Sequence, residues 1–177
     1  ANTLGMINSL ELARQYKAKY LQFSSSVIYG NVPRGEFVDE KFMGTMDLLD
    51  PRACYDEGKR YAESIVDTYR HAYNLDTKIV RIFRTYGPRM LLGDGQMIPD
   101  FILNALENKD LVIYGDDSFQ TCLCYVGDIV EGCIAAMNSS INDPINLGSA
   151  DVYKIVDVAK KIIELTGSNS NIVFEGA

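Results

Sequence analysis

Residues 20–30 read Tyr20-Leu21-Gln22-Phe23-Ser24-Ser25-Ser26-Val27-Ile28-Tyr29-Gly30. Tyr20 to Phe23 has strand-forming character and runs into three serines, and a glycine closes the segment. The reading is a buried strand whose carboxyl end carries hydroxyl groups. Upstream, Met6, Leu10 and Ala13 recur at i, i+4 and i+7, the spacing of a helix with one apolar face. Downstream comes a polar loop with Pro33, Gly35, Gly44 and Pro51. A long helix then runs from about Cys54 to Tyr73, with Ala62, Ile65, Val66 and Tyr69 on one face. A second strand, Thr77 to Phe83, stops at Tyr86-Gly87-Pro88. Strands alternating with helices over connections this long imply parallel crossovers, so the expected class is α/β.

Beyond residue 88 the elements shorten. Ile98, Phe101, Ile102 and Ala105 mark a helix, and Leu111 to Tyr114 a short strand ended by Gly115-Asp116-Asp117. Cys122 to Val126 reads as another strand, with Cys122-Leu123-Cys124 exposing one face. Ile129, Cys133, Ala136 and Met137 mark a helix, Ile145 to Gly148 a strand, and Ile155, Ala159, Ile162 and Ile163 a last helix. A soft boundary falls near Pro88–Gly95.

The chain has 177 residues, a net charge of −7 and 47% apolar residues. That composition is globular and excludes disordered or collagen-like classes. The negative charge argues against nucleic acid or an anionic membrane as partner. No apolar run approaches the roughly 18–20 residues of a membrane span, and no signal peptide opens the chain, so a cytoplasmic location is expected. The chain opens on Ala1 inside a helical pattern. A processed chain, or part of a longer polypeptide, is the expectation. Cys54, Cys122, Cys124 and Cys133 have no C-x-x-C spacing, and His71 is the one histidine. Reduced core cysteines and no metal site are expected.

Three segments carry candidate chemistry. In Tyr55-Asp56-Glu57-Gly58-Lys59, the tyrosine and lysine stand at i and i+4 on one helix face. An ammonium beside a phenol favours the phenolate, which suits a base for a hydroxyl proton. The alternative is a surface tyrosine packed on a lysine stem. Ser24-Ser25-Ser26 closes a strand at the carboxyl edge, where open α/β sheets present ligand groups. Its alternative is a set of hydroxyls satisfying loose backbone groups. Arg81-Ile82-Phe83-Arg84-Thr85-Tyr86-Gly87-Pro88-Arg89 ends the next strand, and arginines there suit phosphate or carboxylate. Asp116-Asp117 and Asp56-Glu57 read as solvated turn and helix surface. No Gly-x-Gly-x-x-Gly turn and no Gly-Lys-Ser/Thr loop occurs in the 177 residues.

Taken in order, these segments resemble the extended short-chain dehydrogenase/reductase superfamily, whose members act on nucleotide sugars. Asn2-Thr3-Leu4-Gly5-Met6-Ile7-Asn8 resembles its Asn-x-x-Gly-Thr-x-Asn helix. Ser24 to Gly30 resembles its serine-rich Val-Tyr-Gly strand end. Tyr55 and Lys59 match its catalytic pair, and Arg81 to Arg89 its Arg-x-x-Asn-x-Tyr-Gly-Pro-Arg segment. Tyr114-Gly115-Asp116, Cys124 to Asp128 and Ile145 to Gly148 are similar to later motifs. Pro51 to Arg60 looks most like UDP-glucuronate decarboxylases, with dTDP-glucose 4,6-dehydratases next.

The resemblance implies a partial Rossmann-like fold, a doubly wound parallel sheet with a smaller mixed α/β lobe. Residues 1–88 would be the C-terminal half of an NAD-binding domain. Residues 89–177 would mostly form a substrate-binding lobe, with 144–148 returning to the main sheet. NAD is the implied cofactor and a nucleotide-diphosphate sugar the implied substrate. Tyr55, Lys59 and Ser25 would be catalytic. Tyr55, Lys59 and Phe83 would touch the cofactor, and Ser25, Ser26, Arg84, Arg89 and Tyr114 the substrate. The family pairs through helices matching 2–17 and 54–73, so a homodimer is implied, with Leu10, Ile65, Tyr69 and Tyr73 as contacts.

Three positions depart from the pattern. Val27 stands where decarboxylases and dehydratases carry glutamate, which keeps a UDP-hexose 4-epimerase open. Arg84 replaces the substrate-binding asparagine. Gln120-Thr121-Cys122-Leu123 lacks the arginine found before Cys-Tyr-Val. The front half with the Gly-rich turn is also absent. The expectation is therefore a fragment that binds NAD poorly alone, or a chain that completes its sheet by association. A non-catalytic binding or dimerisation module is the rival.

Overall fold

The computed structural model describes residues 2–33 and 35–176. Met6, Leu10 and Ala13 become the buried stripe of α1 (Leu4–Tyr16), which Lys17 ends in left-handed backbone. β1 (Tyr20–Ser25) leads into a 3-10 turn, Ser26–Tyr29. After the polar loop comes α2 (Ala53–Tyr73), stopped by Asn74, again left-handed. Asparagine tolerates that region better than most side chains. β2 (Thr77–Ile82) pairs parallel with β1, Ser24 opposite Arg81 and Ser25 opposite Ile82. Thr77 through Arg81 are all buried, as expected of a parallel strand covered on both faces.

Next come β3 (Thr85–Tyr86), α3 (Met97–Leu106), β4 (Leu111–Tyr114), β5 (Gln120–Cys122) and β6 (Cys124–Tyr125). The chain closes with α4 (Val126–Asn138), β7 (Ile145–Leu147), β8 (Val152–Lys154), α5 (Ile155–Thr166) and β9 (Ile172–Glu175). β7 returns to pair parallel with β2, giving the order β1-β2-β7. β3 pairs parallel with β6, β4 parallel with β9, and β5 antiparallel with β8.

The chain divides into two compact units. One holds the chain up to Phe83 together with Asp128–Leu147. The other holds Arg84–Gly127 and the chain from Gly148 onward. In the first unit Leu10, Ala62, Val66, Leu75 and Ile79 form one apolar core with Met6 and Ala13. In the second, Phe101, Ala105, Leu111, Ile113, Ile155, Ala159 and Ile162 form another.

Four expectations change. The boundary falls at Phe83 rather than at residue 88, and most of α4 joins the three-stranded sheet instead of the second lobe. The reason is local. A methyl added to Gly132 of α4 would sit 2.9 Å from Leu147 Cδ2, and Lys19 Nζ donates to Met137 O at 3.0 Å. The single strand expected over Cys122–Val126 is two short strands with different partners, broken at Leu123, and Val126 opens α4. Leu10 is 0% exposed, so it belongs to the core and not to a contact between copies. Short β3, β8 and β9 were not legible as strands.

Two glycines explain how the loop after β1 is held. Gly30 (φ +58°) and Gly44 (φ +58°) lie where backbones cross: a Cβ on Gly30 would meet Thr45 O at 2.0 Å, and one on Gly44 would meet Tyr29 O at 1.8 Å. Only glycine satisfies both the left-handed conformation and the approach. Gly30→Ala is therefore expected to cost about 1–3 kcal/mol of stability in chemical denaturation. A loss below about 0.5 kcal/mol would contradict the crossing.

Candidate active site

The first turn of α2 is set by Asp50. Its carboxylate accepts from Arg52 N at 2.8 Å, and its carbonyl from Ala53 N at 2.9 Å. The helix then carries Tyr55, Lys59 and Glu63 at successive four-residue steps along one side. Lys59 Nζ stands 5.7 Å from the centroid of the Tyr55 ring. It donates to Phe23 O at 2.8 Å, tying α2 to the carboxyl end of β1 two residues before Ser25. An ammonium has three donors, and this contact uses one. Tyr55 is 41% exposed, and its hydroxyl makes no hydrogen bond among the described residues. The phenol is thus open to a ligand and has a cation at its side.

Burial holds the Lys59 ammonium below its ordinary value. The sign is fixed by that direction. Below its folded titration point, Lys59 is charged and poorly hydrated, which costs stability. The cost fades as pH rises from that point toward 10.5, where the unfolded chain also loses the proton. Paired urea melts should show the parent gaining on Lys59→Met as pH rises from neutrality toward 10.5. An unchanged difference would contradict the burial.

Tyr69 is a contrast in its bonding. Tyr69 donates to Glu11 Oε1 at 2.6 Å, and that carboxylate pushes its phenol up to about 12, the wrong direction for a base.

At the strand end, Ser25 Oγ accepts from Val27 N at 3.4 Å and so caps the 3-10 turn. Ser26 is half-buried at the start of that turn. Ser24 points the other way, buried, and donates to Glu63 Oε1 at 2.5 Å. Phe83 ends the first segment of the first unit. Its N–H donates to Leu147 O at 2.9 Å, and its ring lies 6.2 Å from that of Tyr29. Ser25, Tyr55, Lys59 and Phe83 therefore share one unit.

Arg84, Arg89 and Tyr114 belong to the second unit. All three are exposed. Arg84 leads into β3, and its carbonyl accepts from Cys124 N at 3.0 Å. Arg89 adopts left-handed backbone, φ 69°, just after the Tyr86-Gly87-Pro88 turn. Tyr114 ends β4.

Two readings of the sequence are corrected. Arg81 was grouped with anion-binding arginines, but its guanidinium is taken by Glu63, with Nη2 to Oε2 at 2.7 Å and both side chains nearly out of solvent. Asp56 was read as helix surface, yet its Oδ1 is buried and has no hydrogen-bond partner among the described residues. Glu63 itself was missed. Its four-residue step from Lys59 was visible, but such a pair normally signals a solvated helix face. Among the described residues no cluster of three His, Cys, Asp or Glu is placed to hold a metal ion, and no helix is long and apolar enough to cross a membrane.

Comparison with known proteins places these motifs. A family model described as the NAD dependent epimerase/dehydratase family matches residues 1–148. UDP-glucuronic acid decarboxylase 1 of Xenopus tropicalis is 40% identical over 173 residues, covering 98% of this chain and 41% of the relative. The dTDP-glucose 4,6-dehydratase of Bacillus anthracis, solved in complex with NAD, matches with a TM-score of 0.85 and 26% identity, over 99% of this chain and 55% of that one. The UDP-glucuronic acid 4-epimerase of Bacillus cereus, also in complex with NAD, matches with a TM-score of 0.86 and 25% identity, over 99% and 56%. The chain spans 39–50% of the length of the decarboxylase relatives it matches.

Proposed function

The chain belongs to the NAD dependent epimerase/dehydratase family, and we propose that it is the back half of an NAD-dependent nucleotide-sugar enzyme of decarboxylase type, acting on UDP-glucuronate. The observation that carries this reading is Tyr55, its hydroxyl making no hydrogen bond among the described residues, with Lys59 beside it and anchored to Phe23 O.

The residues present fit one end of a dinucleotide. Lys59 keeps two donors for ribose hydroxyls, Tyr55 is open, and Phe83 lies at the end of the strand beside β1. Nothing in the 177 residues supplies the Gly-rich phosphate turn, so a preceding segment of a longer polypeptide would supply it. When bound, nicotinamide would accept hydride from the sugar C4. The chain's own residues would do the rest. Tyr55 would take the proton of the 4-hydroxyl, and Lys59 would stabilise the resulting charge distribution. Ser25 would hydrogen-bond the same oxygen, held in place by its bond to Val27 N. Ser26 would touch the nucleotide sugar, and the family resemblance alone gives Arg84, Arg89 and Tyr114 a substrate-binding role. A carbonyl at C4 makes the neighbouring carboxylate prone to leave as carbon dioxide.

Val27 favours a second reading. It sits in the 3-10 turn where an acid would serve dehydration, and it moves no proton, so a UDP-hexose 4-epimerase is the alternative. Product analysis on the natural gene product separates the readings. Carbon dioxide from UDP-glucuronate supports decarboxylation. Interconversion of UDP-glucose and UDP-galactose supports the epimerase. Neither product, with no bound nucleotide, would indicate a non-catalytic module. A cytoplasmic homodimer through α1 and α2 goes with the enzyme readings. Leu4, Leu12, Tyr16, Tyr61 and Tyr73 are exposed large apolar residues of those helices, besides Tyr55.

A further inference from the structure

Glu63 accepts several hydrogen bonds at once. Arg81 donates to it from Nε at 3.0 Å and Nη2 at 2.7 Å, and Ser24 Oγ at 2.5 Å. Arg81 Nη1 continues to Tyr29 OH at 2.9 Å and Glu40 O at 2.8 Å. Tyr29 OH in turn donates to Asn146 Oδ1 at 2.6 Å, and Asn146 N donates to Glu40 Oε1 at 2.8 Å. One carboxylate on α2 thereby gathers the end of β1, the end of β2, the end of the 3-10 turn, the middle of β7 and the loop at Glu40.

Its place on α2 gives this hub a consequence. Glu63 is one step beyond Lys59 and two beyond Tyr55 on the same side of the helix. Ser24, its partner on β1, lies between Phe23, whose carbonyl anchors Lys59, and Ser25. Two cross-links, Glu63–Ser24 and Lys59–Phe23, join the same two elements a residue apart on β1. Sliding α2 along β1 would break both.

We propose that Glu63 is a positioning residue: clamped by Arg81 and Ser24, it sets the height of α2 against β1 and so holds Lys59 and Tyr55 at the serine strand end. This rests on the reading of Tyr55 and Lys59 as the reacting pair. The length of the side chain matters as much as its charge. Aspartate keeps the charge and shortens the reach by one methylene. Glutamine keeps the reach and loses the charge.

The test compares Glu63→Asp and Glu63→Gln in the natural protein, with Ser24→Ala as a milder variant should both unfold. Two readouts are taken. The first is the side-chain titration of Lys59, followed by NMR and assigned with Lys59→Arg. The second is kcat against KM on UDP-glucuronate. The burial that depresses Lys59 depends on its seat beside Phe23. Misplacement therefore moves its titration point upward in Glu63→Asp. On the enzyme reading kcat falls about tenfold while KM stays within about twofold. Ser24→Ala moves both in the same direction by less. A merely stabilising role predicts lower melting temperature with Lys59 and kcat unchanged, and that result in a folded variant overturns the proposal. If the parent turns over no nucleotide sugar, the function fails, and the Lys59 titration still decides the positioning role.

Discussion

Replacing Tyr55 with phenylalanine is expected to lower turnover of the natural enzyme by about a thousandfold and to leave its stability within about 0.5 kcal/mol of the parent. The two halves of that expectation come from the same observation. The Tyr55 hydroxyl makes no hydrogen bond among the described residues and is part-exposed, so its loss leaves no protein group unsatisfied. The same freedom is what a proton acceptor for a bound hydroxyl requires. Single-turnover kinetics on UDP-glucuronate, beside a urea melt of each protein, measures both. Activity within threefold of the parent would remove Tyr55 from the chemistry and leave Lys59 as a structural strut.

Replacing Arg81 with methionine is expected to have the largest effect on stability, about 3–5 kcal/mol, because it leaves the Glu63 charge buried and without its cation. Arg81 and Glu63 have 9% and 12% of their side-chain surface exposed, so water cannot step in freely. The guanidinium also lies over the Tyr29 ring, 5.1 Å from its centroid, and donates to Tyr29 OH and Glu40 O. Removing Glu63 as well should restore much of the loss, since a well-packed apolar pair often equals a buried ion pair. Chemical denaturation of Arg81→Met and of Arg81→Met/Glu63→Leu tests this. A loss of under about 1 kcal/mol in the single variant would contradict a pair that is both buried and satisfied.

The main sheet was legible because its residues obey local rules. β1 and buried β2 read as strand-forming runs closed by serines or by Tyr86-Gly87-Pro88, although β1 is only partly buried, with Phe23 51% exposed, and Met6, Leu10 and Ala13 read as a helix face. Tyr55 and Lys59 were legible because a helix brings i and i+4 together without help from the rest of the chain. The second half was harder for the converse reason. β3, β6 and β8 have two or three residues each, too few to show a period, and their partners lie far along the chain. Arg81 was misassigned because its partner is 18 residues away on another element, and sequence spacing carries no sign of it. Leu10 was offered to a second copy because an apolar residue on a helix declares that it will be buried, not by what.

The account turns on whether these residues are the back half of an NAD-dependent enzyme. Native mass spectrometry of the natural gene product, beside the 177-residue chain, tests it most directly. The account predicts a longer natural product that retains NAD, while the 177-residue chain retains none. A natural product of 177 residues that holds no nucleotide would contradict it and would leave Tyr55 and Lys59 as remnants in a binding or assembly module.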